Sequence, residues 1–320
     1  MATDAAVKLV VNVSQDPAEY IGVVQIQRKD NTETVMETIG PVNGTAAREP
    51  AFSISLHREF LFSQDGPILD VALSSDGKHA EQLGTQEFSL YELQGDEWVL
   101  RGTEHLPVSR PSQRGERGII VQGNDSQTVY LADELCRTSS SDSSSAKGWS
   151  CEKYTDQMPT RAISAEALAG KKIGVWISAA QLETDGKAQI VATGEDGLAR
   201  LYEDGPDPVA VFSNWGSEIA SVYSGCGSGW QLLVTGGEDW TKPDEIQAVD
   251  IQDRRAQSVS DPIEFLGPIV VLRTPGMRTG GNATASVTTN VAADAQAVAV
   301  DRNLQTGRYE AYLLSIACSR

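Results

Sequence analysis

The chain has 320 residues, 44 acidic against 26 basic, with a net charge of −18 and a hydrophobic fraction of 40%. A field this negative repels phosphate backbones and argues against nucleic acid as a partner. The longest aliphatic runs, such as Pro268–Leu272, fall far short of the roughly 20 residues of a membrane-spanning helix.

The chain opens "MATDAAVKLVVNVSQ", which lacks the basic patch and long apolar stretch of a secretory leader. Either the protein is cytosolic or a leader has been trimmed. Within this opening, Val7–Val13 reads as a strand. From Gly66 onward one phrase recurs: "GPILDVAL" at Gly66, "GSEIASVY" at Gly216 and "GPIVVLRT" at Gly267. The spacing corresponds to a unit of about 50 residues, within the range of propeller blades. The first unit continues through a turn (Ser74–Lys78), then Phe88–Leu93, "QGDE" and Trp98–Gly102. After the basic stretch Ser109–Arg117 come Gly118–Gly123 and Thr128–Ala132. Further on, Glu183–Gly205 alternates turn and strand, Gly229–Trp240 leads to Glu245–Ile251, and Ala295–Ile316 reads as two strands around an "LQTG" turn. Short alternating or apolar segments with Gly, Asp and Asn between them are the pattern of antiparallel hairpins. Only Ile163–Lys172 suggests a short helix.

These units predict an all-β fold, a single β-propeller domain over residues 1–320. Six blades are expected within a range of five to seven, with units beginning near 16, 66, 116, 166, 216 and 267. Val7–Val13 is placed to complete the last blade, so that N- and C-terminal strands close the ring. A pair of β-sandwiches is the competing architecture. Loop insertions are expected at about 136–151, where "CRTSSSDSSSAKGWSC" is too polar to pack a core, and at about 274–290.

The four cysteines suggest two bridges, Cys136 with Cys151 and Cys226 with Cys318. The first closes a loop of about 15 residues, for which the chain-entropy model gives roughly 3 kcal/mol. Stapling a loose loop and a chain end is what bridges do in oxidising compartments, which points to a periplasmic or extracellular protein. No C-x-x-C is present and no histidine neighbours a cysteine, so zinc is not expected.

The stretch "LSSDGKHAEQLGTQEFSLYEL", together with "NWGSEIASVYSGCGSGWQLLVTGGEDWTKPDEIQAVDIQDRRA" and "RNLQTGRYEAYLLSIAC", resembles an uncharacterised group of bacterial WD40-like propellers, related in architecture to integrin-α-type and VCBS propellers. The resemblance implies fold and export and carries no activity. The turns "SQDG", "SSDG", "ETDG" and "GEDG" lack the earlier carboxylates of the integrin-type calcium loop. One or two carboxylates make a weak oxygen cage, so calcium is not expected in the blades and no cofactor is implied.

The three histidines, His57, His79 and His105, stand in no metal or nucleophile motif, and the G-x-S-x-G elbow is absent. No catalytic residue is nominated. "GCGSGW" (Gly225–Trp230) reads as a hairpin turn, not a phosphate loop. Exposed aromatics beside acids bind sugars, peptides or cations. This nominates Trp215 and Trp240 with Glu238 and Asp239, and Arg114 and Arg117 in the basic stretch, as ligand-binding residues. The leading functional expectation is a monomeric, non-enzymatic recognition or scaffold module that binds a protein, peptide or glycan through its loops. The alternative is a propeller hydrolase or lyase with a metal or carboxylates in the central channel. A third reading is a structural ring within a larger assembly.

Overall fold

The computed structural model describes residues 8–15, 20–28, 31–39, 52–74, 76–109, 117–122, 127–131, 133–138, 148–154, 170–172, 176–184, 186–227, 229–236, 241–274 and 295–319. The chain divides into two compact units, Met1–Glu49 and Pro50–Arg320. The first contains three strands, β1 (Lys8–Gln15), β2 (Tyr20–Arg28) and β3 (Asn31–Ile39), paired in order as an antiparallel meander.

The second unit is a five-bladed β-propeller. Its ring-closing strand is β4 (Ser53–Gln64). Blade 1 comprises β5 (Asp70–Leu73), β6 (His79–Leu83), β7 (Glu87–Gln94) and β8 (Glu97–His105). Blade 2 comprises β9 (Gly118–Gln122), β10 (Gln127–Leu131), β11 (Glu134–Thr138) and β12 (Trp149–Lys153). Blade 3 comprises β13 (Trp176–Thr184), β14 (Lys187–Gly194), β15 (Ala199–Tyr202) and β16 (Ala210–Phe212). Blade 4 comprises β17 (Ile219–Tyr223), β18 (Trp230–Thr235), β19 (Glu245–Gln252) and β20 (Arg255–Ser258), with the short β21 (Ile263–Glu264) also on β19. Blade 5 comprises β22 (Ile269–Arg273), β23 (Gln296–Arg302) and β24 (Tyr309–Ser319), completed by β4.

Every recurring segment named from the sequence within the described residues is a strand of a blade, and Gly66, Gly216 and Gly267 each precede a first strand. The turns are as expected: Gly77 and Gly186 adopt φ of 67° and 72°, backbone that only glycine enters freely. The blade count is five, not the favoured six. The unit counted from residue 16 lies in the separate three-stranded sheet, which pairs within itself. Ring closure does join an N-terminal to a C-terminal strand, but the strand is β4, not Val7–Val13. β4 runs antiparallel to β24 from Ser53↔Ser319 to Gln64↔Tyr309, so the propeller closes on its own first strand. Residues 163–169 of the expected short helix lie outside the described residues, as do 139–147 of the serine-rich insertion and 275–294.

The hydrophobic core consists of clusters between neighbouring sheets. Leu69, Leu83 and Phe88 of blade 1 meet Ile120, Val129 and Leu131 of blade 2. Leu182, Val191 and Leu201 of blade 3 meet Leu232, Val234 and Ile251 of blade 4. Val222, Leu233 and Ile246 of blade 4 meet Leu272, Ala299 and Leu314 of blade 5. Val271, Val298 and Val300 of blade 5 meet Val71, Leu73 and Ala80 of blade 1. Blades 1, 4 and 5 therefore bury both faces, which is why their strands read as apolar runs as often as alternations.

The first strands of the blades adjoin around the axis: β5 lies against β9 and β22, and β17 against β13 and β22. One tight approach marks the passage into blade 5. A Cβ on Gly267 would stand 1.7 Å from the carbonyl oxygen of Arg302. Gly267→Ala is expected to cost roughly 1–3 kcal/mol, the usual range for overpacking, read as a fall in the midpoint of urea unfolding.

Candidate functional site

Polar side chains link the inner strands around the axis. Asp70, the first residue of β5, is fully buried. One carboxylate oxygen accepts the Val71 N–H at 3.0 Å, and the other accepts the Ile120 N–H at 2.8 Å and the Arg273 guanidinium at 2.6 Å. The same guanidinium nitrogen of Arg273 donates to the Ile120 carbonyl at 2.9 Å. Arg273 belongs to blade 5 and Ile120 to blade 2, so this side chain reaches past blade 1 across the axis. The Thr274 hydroxyl ties blade 5 to blade 4 through the Ser221 carbonyl at 2.5 Å. The Ser178 hydroxyl ties blade 3 to blade 4 through the Ile219 carbonyl at 3.2 Å. Arg117 ties blade 2 to blade 3 by donating to the Ile177 carbonyl at 2.6 Å. The cross-links therefore visit all five blades.

Charges so deeply buried persist only when paired and hydrogen-bonded. Asp70 accepts from the Arg273 guanidinium and from the Val71 and Ile120 N–H groups, which match its charge and fix its position. The alternative expectation of central-channel carboxylates thus meets an axial aspartate held by an arginine.

The second polar cluster lies at the start of blade 5, under the connection from blade 4. Asp301 on β23 is fully buried. Its Oδ2 accepts the Leu266 N–H at 3.2 Å, and its Oδ1 has no hydrogen-bond partner. Directly opposite on β24 stands Glu310, which accepts from the Asn303 amide at 3.0 Å and the Tyr312 hydroxyl at 2.5 Å. Burial raises the Asp301 carboxyl from the ordinary 3.8 to about 7, Glu310 adds to the rise, and the Leu266 N–H and Arg58 oppose it. Burial likewise pushes the Tyr312 phenol up, helped by its bond to Glu310. Arg58 on β4 lies over the rings of Phe265 and Tyr312, at 5.1 and 5.4 Å, and donates to the Glu264 carbonyl at 2.6 Å.

Around this cluster large apolar side chains meet solvent. Phe60 is 52% exposed and packs edge-on against Tyr312, whose ring also meets Phe265. Leu266 and Leu304 are 41% and 38% exposed, and the Leu304 N–H donates to the Leu266 carbonyl. Cation, acids and apolar groups thus share one end of blade 5.

The nominated residues fall as follows. Trp215 is 8% exposed and stacks on Phe212 at 4.8 Å between ring centres. Its connection adjoins the start of the following loop, since the Gly216 N–H donates to the Thr235 carbonyl. Glu238, Asp239 and Trp240, in that following loop, lie outside the described residues, as does Arg114. Arg117 immediately precedes β9 and supplies the blade 2–blade 3 link. Chain topology sets the Trp215 connection, Gly236 after the end of β18 and the start of β9 at the same end of their blades, where the first strand begins. Asp301, Glu310 and Phe60 were not nominated from the sequence. An aspartate inside "AVAVDRN" was the available signal, since a charge ending an apolar strand is expensive to bury.

Cys136 and Cys151 form a disulfide between directly opposed positions of β11 and β12, and Cys226 and Cys318 form the second, from the β17–β18 turn to the end of β24. The Glu134 carboxylate lies close to the first pair, but bonded sulfurs are not thiolates and hold no metal. Two disulfides suggest a non-cytoplasmic location, and among the described residues no helix is long and apolar enough to cross a membrane.

No family model matches the chain, and no curated protein matches it. Among solved structures it is similar to BBS1N, as seen in a crystal structure in complex with ARL6DN soaked with mercury, at 9% identity and a TM-score of 0.27 over 95% of this chain and 77% of that one.

Proposed function

We propose that the propeller is a non-enzymatic recognition module that binds an extended protein segment or peptide at the outer edge of blade 5. The propeller fold fits a binding or scaffold module, and the observation that carries the finer reading is the exposed set Phe60, Leu266 and Leu304 around Arg58. Large apolar side chains clustered in solvent are unusual on a monomer and mark contact surfaces. β4 ends the order of its sheet, and a strand edge beside exposed apolar side chains suits an extended chain. The pairing of the axial Asp70 with Arg273 gives that carboxylate a structural part and is consistent with this reading. The disulfides and the resemblance to exported bacterial propellers support a periplasmic or extracellular setting.

Peptides selected on the intact protein from a random displayed library provide the test. The double variant Phe60→Ser, Leu266→Ser should weaken the selected peptides at least tenfold with an unchanged melting temperature. Selected peptides indifferent to both substitutions, or ligands obtained only from a glycan array, would overturn the proposal.

A further inference from the structure

We propose that Asp301 and Glu310 share a single proton across β23 and β24, and that losing it releases Leu266 and Gly267, so that the surface at Leu266 and Leu304 depends on pH. This deepens the recognition reading and rests on it for its biological meaning, although the switch itself is a property of blade 5.

The argument begins with an imbalance. Asp301 offers two buried oxygens, and only one has a donor. Its cross-strand partner is a second carboxylate, and residues opposed in an antiparallel pair have their Cβ atoms about 5 Å apart. Protonation solves both problems at once. A neutral Asp301 carboxyl carries an O–H that can be directed at Glu310, and the pair keeps one negative charge instead of two. One proton binds and no other bond changes. The charged and titratable groups around the pair are Tyr312 on β24, already donating to Glu310, and Arg58 on β4, held on two aromatic faces. On β22 the residue opposite Asp301 is Ile269, which brings neither charge nor donor.

The direction follows from the carboxyl's rise from 3.8 to about 7. A group that holds its proton more tightly when buried stabilises the closed state fully below its ordinary value. That contribution drains away as the pH climbs from 3.8 to about 7. A rise of this size corresponds to roughly a thousandfold preference for the protonated form inside over outside.

The cheapest escape for a charged Asp301 is local. Its cover is the segment carrying Leu266, held by the Leu266 N–H to Asp301, the Leu304 N–H to the Leu266 carbonyl, the Phe265 N–H to the Asp244 carbonyl and the Asp244 N–H to the Gly267 carbonyl. Lifting Leu266 and Gly267 alone admits water to the carboxylate while Phe265 stays in the core between blades 4 and 5, the kind of sub-global opening that amide exchange detects.

Amide hydrogen exchange on the native protein, corrected for intrinsic pH dependence, tests this. Protection at Leu266 and Leu304 should fall at least tenfold between pH 5.5 and 8.5, while Val298 in the middle of β23 holds. Asp301→Asn, neutral at every pH and of the same shape, should abolish the fall. Constant protection in the native protein, or the same fall in the variant, would overturn the switch. In a second arm, a peptide selected at pH 6 should bind the native protein more weakly at pH 8 and Asp301→Asn equally at both. If exchange responds as expected and no peptide is ever selected, the recognition reading fails while the switch stands.

Discussion

Replacing Arg273 by Met is expected to destabilise the propeller by about 3–5 kcal/mol, the usual cost of orphaning one member of a buried ion pair. The physical reason lies in what remains. Asp70 would keep two backbone N–H partners and lose its cation, in a site with no access to solvent. Methionine fills most of the volume, so a cavity is a minor part of the loss. The second variant separates charge from packing: Asp70→Asn with Arg273→Met leaves no buried charge, and Asn still accepts from the Ile120 N–H. Most of the lost stability should return in the double variant, giving a coupling energy well above the roughly 0.5 kcal/mol of independent sites. Chemical unfolding of the four proteins of the cycle measures it. A single variant within 1 kcal/mol of the native protein would mean that Arg273 does not neutralise Asp70.

Removing the Cys226–Cys318 bridge by a double substitution to Ala is expected to cost on the order of 4 kcal/mol, a melting temperature lower by roughly 10 °C. The bridge spans 92 residues, and the chain-entropy model assigns a larger gain to longer loops. Its location adds to this. Cys318 lies on β24 opposite Ile54 of β4, where the ring is closed by strand pairing alone, and Cys226 lies in the turn of blade 4. The bridge therefore holds the closing strand pair to the preceding blade, and without it the seam is the natural place for fraying to begin. The double substitution Cys136→Ala, Cys151→Ala spans only 15 residues and joins two strands already paired, so its effect should be smaller. Calorimetry on both variants gives the order directly, and a larger loss from the short bridge would contradict it.

The hairpins were legible because a strand's periodicity is local. "FSLYEL", "WVLRG", "GIIVQG" and "EIQAVDI" each declare themselves within eight residues, and the glycine turns between them require a backbone that few other residues adopt. The phrase at Gly66, Gly216 and Gly267 was legible as a period, because each copy begins the strand that faces the axis and meets the same environment. The blade count was less legible: a run of strands at the N-terminus looks the same whether it joins the ring or forms a sheet of its own. The candidate site was mostly hidden. Trp215 beside acids could be read as a core ring or as a loop aromatic, and Phe212 three residues earlier provides the stacking partner of a buried ring.

What the sequence by itself determined is therefore the all-β class, the modular repeat near 50 residues, both disulfide pairs and the acidic surface. All are properties of neighbouring residues, composition or parity. Only the tertiary structure decided that β4 closes the ring at five blades, that Asp70 finds its cation 203 residues away in Arg273, and that Asp301 is sealed opposite Glu310 beneath Leu266. Burial and long-range pairing set those outcomes, because a carboxylate's chemistry depends on whether water or a distant strand surrounds it, and local sequence does not record which.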